Sequence, residues 1–161
     1  MKKIIAIWVA SFSLASFGIT VCAESLPKSG RISIHSIMKG TSQTKFNDEY
    51  SHSTIEGKTF NEEDKGPLHL GKVACSYSGF SHKPINKGIG FCAFEDKDGD
   101  KIFVQYTGTS SAKGEFNATN DIIGGTGKFN DIQGGGPSAC VGTDKNSEFP
   151  CTSKFDYQLP E

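Results

Sequence analysis

Past its first 23 residues this chain has no tryptophan, since the single Trp8 lies in that leading stretch. Neither charge is in excess, with 17 basic and 18 acidic residues, so nothing electrostatic points to a nucleic-acid or anionic-membrane partner. The four histidines, His35, His52, His69 and His82, are scattered and none forms His-Glu-x-x-His. There is no Gly-x-Ser-x-Gly nucleophile elbow and no Cys-x-x-Cys. Zinc-protease, serine-hydrolase and zinc-ribbon chemistry therefore have no motif to stand on. Helical periodicity is never sustained, which excludes a bundle, and neither an internal repeat nor a dividing linker is present.

One long apolar run exists, at the start. Met1-Lys2-Lys3 is followed by apolar and small residues to Cys22, interrupted by Ser11, Ser13, Ser16 and Thr20. A basic head, an apolar middle and the small exit Val21-Cys22-Ala23 read as a signal peptide over residues 1–23, cleaved before Glu24. Val21 is bulky for a lipid-attachment signal on Cys22, which disfavours a lipoprotein anchor. The remaining 138 residues, 24–161, carry a net charge of −3 and no integral membrane segment. They form a single domain able to bury roughly two thirds of its unfolded surface. The short Lys-Lys head is of bacterial type, so the expected location is periplasmic or secreted. In that setting the sequon Asn117-Ala118-Thr119 is a coincidence.

Four cysteines remain in the exported chain: Cys75, Cys92, Cys140 and Cys151. An even count in an oxidising compartment argues for two disulfides rather than zinc. The expected pairs are Cys75–Cys92 and Cys140–Cys151, each closing a short loop between strands adjacent in order.

What fills the chain is short alternation. Strands are predicted over 31–38, 50–55, 73–80, 89–95, 101–107, 138–142 and 151–158, the third approached through Leu68 and Leu70, with one more from 114 into 123. Residues 40–47 and 81–88 read as loops. Ser153, Phe155 and Tyr157 share one face of the last strand. Eight strands without helices mean a sandwich or a barrel, and closure into a barrel removes the edges that an open sheet must protect. No Gly-x-Trp is available for a lipocalin.

The densest glycine lies in Asn120-Asp121-Ile122-Ile123-Gly124-Gly125-Thr126-Gly127-Lys128-Phe129-Asn130-Asp131-Ile132-Gln133-Gly134-Gly135-Gly136. Such density marks positive φ or close backbone approach. Phe129 and Ile132, three apart, fall on one face of a single helical turn. The stretch therefore reads as strand, apolar plug and return strand, with Gly124, Gly125, Gly127 and Phe129 as its structural residues.

Gly-Gly-Thr-Gly-Lys-Phe followed by further glycine resembles the turn between two late strands in the allene oxide cyclase and dirigent barrels. That resemblance implies a single eight-stranded antiparallel barrel, with a β-sandwich as the alternative. It also implies a homo-oligomer and, as one functional option, an isomerase or cyclase. No motif in this chain matches those families' catalytic residues, so no catalytic residue is assigned. The other option is a non-catalytic barrel that binds a small apolar molecule or a protein partner. Few charged residues fall on inward phases, which favours binding.

Remaining candidates are set aside on chemistry. Asp96-Lys97-Asp98-Gly99-Asp100 lacks the sixth-position Gly and twelfth-position Glu of a calcium loop and reads as a solvated hairpin turn. Gly124-Gly125-Thr126-Gly127 lacks the Gly-Lys-Ser/Thr ending of a phosphate loop. No metal and no cofactor is expected.

The Asp96–Asp100 hairpin also sets a register. Glu95 opposite Lys101 pairs opposite charges. Phe94 then faces Ile102, Cys92 faces Val104 and Gly90 faces Tyr106, an uncharged row that should be interior. Cys75 opposite Cys92 extends that row to Val73 and Tyr77. Tyr77 and Tyr106 are thus the candidate ligand-lining residues.

Overall fold

In the computed structural model, which describes residues 26–83, 85–111, 113–142 and 148–161, the alternation resolves into eight strands. They are β1 (Ser29–Lys45), β2 (Tyr50–Asn61), β3 (Gly71–His82), β4 (Ile85–Glu95), β5 (Lys101–Ser110), β6 (Glu115–Gly125), β7 (Gln133–Val141) and β8 (Glu148–Gln158). Each pairs antiparallel with the next and β8 closes on β1, giving one barrel with no β-sandwich. The expected leader, residues 1–23, lies outside the described residues. Among the described residues no helix is long and apolar enough to cross a membrane.

The β4–β5 register is the expected one: Glu95 opposite Lys101, Phe94 opposite Ile102, Cys92 opposite Val104 and Gly90 opposite Tyr106. Phe94, Ile102, Val104 and Tyr106 are buried. Phe91 on the other face is 50% exposed. Cys75–Cys92 joins directly opposed residues of β3 and β4, and Cys140–Cys151 does the same for β7 and β8. Two disulfides suit an oxidising compartment.

Several boundaries move. β1 runs on to Lys45 and β2 runs through to Asn61, past Gly57. Residues 41–44 are Thr, Ser, Gln and Thr, β-prone but polar on both faces, so no alternation announces them. They stand at the rim, where the Thr41 and Ser42 hydroxyls each lie 2.7 Å from the Thr54 hydroxyl. Gly57 does not end its strand. A Cβ there would strike the Ile37 carbonyl, so glycine allows close approach mid-strand. The expected 81–88 loop shrinks because β3 reaches His82 and β4 begins at Ile85. Leu68 and Leu70 belong to a turn, not a strand, and both take positive φ, 61° and 53°. The Thr59 hydroxyl fixes that turn by donating to the Leu68 carbonyl at 2.7 Å.

One end of the barrel is solid. Ile32, Ile34, Val73, Phe94, Ile102, Val104, Ile122 and Phe155 point inward and pack together. A single 3₁₀ turn, Gly127–Phe129, follows β6 and drives Phe129 into this core at 0% exposure, with Ile132 beside it. Gly127 has φ of 57°, and a Cβ there would overlap the Asp100 carboxylate. Gly125 is required by proximity instead, since a Cβ would meet the Phe129 carbonyl.

The acidic hairpin beside the plug is not merely solvated. Asp96 is buried, and its carboxylate pairs with the Lys128 ammonium, which also meets Asp98 at 2.9 Å. The Lys128 backbone N–H donates to Asp100 at 3.2 Å. Burial alone would lower the Lys128 ammonium, but the Asp96 and Asp98 hydrogen bonds outweigh it and raise its pKa. The Asp98 carboxyl is lowered to about 2, mainly by its hydrogen bonds to Lys97 and Lys128. A tethered ammonium thus occupies the middle of the acidic turn.

Candidate functional site

The other end of the barrel is hollow. Its strands carry the same inward phases, but the side chains there are small, polar or laid against the wall. Gly88 and Gly90 on β4 show why. A Cβ on Gly88 would overlap the Tyr77 ring, and one on Gly90 would come 2.5 Å from the Tyr106 hydroxyl oxygen. Both tyrosines therefore lie flat over glycine backbone. Phe116 of β6 meets them edge-on, with ring centroids 5.7 Å from Tyr77 and 6.1 Å from Tyr106. Three rings ranged along the wall leave an open space of about 240 Å³.

Tyr77 and Tyr106 both line this space, as do all four cysteine positions. The Tyr106 hydroxyl donates to the Ser76 carbonyl at 2.9 Å, so its hydrogen is already committed to the wall. Burial pushes the Tyr106 phenol well up, and the neighbouring Tyr77 adds to the shift. Burial also raises Tyr77, with the Ser110 side chain acting against it. Both phenols are neutral at physiological pH. No Asp, Glu, Lys, Arg or His is among the described residues that line the cavity.

The floor of the cavity is polar. Asn120, Ser138 and Ser153 come from three consecutive strands, β6, β7 and β8. Asn120 Nδ2 donates to the Gly136 carbonyl at 2.8 Å and to Ser138 Oγ at 2.6 Å. Ser138 then donates to Ser153 Oγ at 2.7 Å. Ser36 of β1 also lines the floor and is 2% exposed. Below this layer sits the packed core: Ile34, Ile122 and Phe155 lie two residues further along the same strands.

At the top the cavity opens through a mouth bordered by Gly40, Gln43, Ser53 and Gly142. Ile55, Tyr77 and Phe149 border both spaces, so mouth and cavity are continuous. The extended β1–β2 hairpin forms the high side of the mouth. Its tip is tied to the end of β3 by Ser81 N–H donating to the Glu49 carbonyl at 2.7 Å and by a hydrogen bond between the His82 ring and the Glu49 carboxylate.

The histidines stay outside this site. His35 stacks on Phe60 with centroids 5.1 Å apart, and His52 hydrogen-bonds Ser78 at 3.0 Å. Among the described residues no group of three His, Cys, Asp or Glu side chains is placed to hold a metal ion. The glycine turn and Phe129 close the opposite end of the barrel and do not border the cavity.

Sequence reasoning did not single out Ser36, Phe116, Asn120 or Ser138. A signal existed for Ser153, which shares an inward phase with Phe155 and Tyr157 on β8. Asn120 has the same phase relative to Ile122. A polar residue at an inward position of an apolar row marks a place where the lumen is not simply filled.

The chain matches no protein-family model, and no curated protein matches it.

Proposed function

We propose that this protein is an exported, non-catalytic barrel that holds a small, uncharged, largely apolar molecule in the open half of its lumen. The observation that carries this reading is a cavity of about 240 Å³ with an aromatic wall, a hydroxyl and amide floor and no charged lining among the described residues. An apolar cavity of about 150 Å³ is enough for a benzene ring, so this one suits a ring with a short substituent. Apolar walls with a few fixed polar groups are the usual make-up of a small-molecule site.

The test is native mass spectrometry of protein taken from its own cells. The expected result is a retained uncharged molecule that is released on denaturation. An Ala118→Phe variant, which fills the lumen, should come out empty. Wild-type protein that retains nothing and binds no small aromatic probe overturns the reading. Mature protein should begin at Glu24 in a soluble exported fraction, and a lipid-modified Cys22 overturns the export part.

The second reading follows from the barrel together with Gly124-Gly125-Thr126-Gly127-Lys128-Phe129, which are similar to allene oxide cyclase and dirigent proteins. In it the three rings hold a reactive molecule in one shape, and positioning alone lowers the barrier by several kcal/mol. The tyrosine hydroxyls are the polar groups of the aromatic wall, and Tyr106 would have to release its bond to Ser76 to address a reacting oxygen. Tyr77→Phe and Tyr106→Phe variants that keep all binding and any turnover remove that role.

A further inference from the structure

We infer that the cavity selects an uncharged ligand bearing a carbonyl-type acceptor oxygen, received at its floor by the Ser153 hydroxyl with the Ser36 hydroxyl at a diagonal position. This rests on the binding reading above and adds the chemical class of the ligand.

The argument is a count of hydrogens. The atom of Asn120 facing the Gly136 carbonyl must be the amide nitrogen, because two oxygens would repel there. That nitrogen only donates, so its contact to Ser138 Oγ makes Ser138 an acceptor. A single hydrogen then lies between Ser138 and Ser153, given by Ser138. The Ser153 hydrogen is left over, and no described residue accepts it. Reversing the Ser138–Ser153 bond would free the Ser138 hydrogen instead, so one surplus hydroxyl hydrogen faces the cavity in either case.

Three further observations point the same way. Donors aligned in series polarise one another, so the terminal hydroxyl is a better donor than an isolated serine. Ser36 is 2% exposed, lines the cavity and has no hydrogen-bond partner among the described residues. It stands opposite Cys151 while Ser153 stands opposite Ile34, which places both hydroxyls on inward phases of adjacent strands. Buried polar groups are ordinarily satisfied, so a Ser36 hydroxyl without a partner beside a Ser153 hydroxyl with a hydrogen to spare marks a place for a partner. With no charge nearby to neutralise a carboxylate or an ammonium, that partner is a neutral oxygen.

Acetophenone and α-methylstyrene make the test, since they share one shape and differ by C=O against C=CH₂. Calorimetric titration of each into wild-type protein and into Ser138→Ala/Ser153→Ala gives an affinity ratio, ketone over hydrocarbon, for each protein. The ratio should fall about tenfold from wild type to the double variant, the size expected for one good hydrogen bond. An unchanged ratio overturns this inference while leaving the binding reading intact, and includes the case in which a trapped water satisfies the surplus hydrogen. Failure of wild type to bind either probe overturns the binding reading itself. Should the double variant not fold, as judged by its thermal transition, Ser36→Ala replaces it, with an expected fall of about threefold by the same reasoning. An unchanged ratio there counts equally against the proposal.

Discussion

At its closed end the barrel presents Ile34, Ile102, Val104 and Phe155 to one another. At its open end the same three strands, β1, β5 and β8, present Ser36, Tyr106, Gly108 and Ser153. The backbone ladders run through both halves, with register shifts between Gly40 and Ser42 and between Phe103 and Val104, and the difference lies in what the inward positions carry. In the closed half, apolar side chains meet across the axis and Phe129 seals the bottom. In the open half the tyrosine rings turn sideways over glycine and meet Phe116 edge-on, leaving space beside them. Collapse of that half is resisted by the wall itself, where both disulfides cross-link neighbouring strands at the level of the cavity. One end is held by burial, the other by covalent cross-links and strand pairing. A hollow lumen therefore needs no shortage of apolar residues; it needs small residues that let large ones lie flat.

The strongest way to break this contrast is to truncate one phenylalanine in each half. Phe129→Ala should destabilise by about 3–5 kcal/mol, the loss of a fully buried ring with its cavity. Phe116→Ala should cost about 1 kcal/mol, because that ring already faces open space. Urea unfolding of the two variants measures both, and equal losses would mean that the open half is packed after all.

Cross-links come next. Replacing Cys140 and Cys151 together by serine should cost about 2–4 kcal/mol through the freed unfolded chain. Hydrogen exchange on that variant should quicken in the β7–β8 amides beside the cavity, while β4–β5 amides around Ile102 stay protected. Uniform loss of protection would show that the two halves are one cooperative unit.

The smallest effect sharpens the account of the aromatic wall. Tyr106→Phe loses the bond to Ser76 and should cost about 1 kcal/mol at neutral pH. Burial raises the Tyr106 phenol above its ordinary value. Its contribution is therefore complete below about pH 10, where the unfolded phenol ionises, and declines as pH rises beyond that toward the folded pKa. Thermal melts from pH 8 to pH 11 should show a steeper alkaline decline for wild type than for Tyr106→Phe. Parallel curves would place that ring in water.

Much of the closed half was legible from local pattern. Period-2 alternation and the Glu95–Lys101 pair set the β4–β5 register, because a slip of one residue would put charges in the core. Glycine density around Phe129 announced a turn with a plug. The acidic hairpin was misjudged because its partner, Lys128, arrives from a later turn. The rim strands escaped notice because, wet on both faces, they have no alternation to display.

The sequence by itself determined the number of strands, their neighbours, the inward face of β3, β4 and β5 and the sharp turn at Gly127, since each follows from spacing within a few residues. Tertiary structure alone decided that half of the lumen stays open and that its floor is a directed chain of donors. Ser36, Asn120 and Ser153 come from the first, sixth and eighth strands, and only closure of β8 onto β1 brings them to one layer. The physical reason is range: backbone preference and alternation act between near neighbours, whereas a cavity is the sum of side-chain volumes from every strand at one level of the barrel.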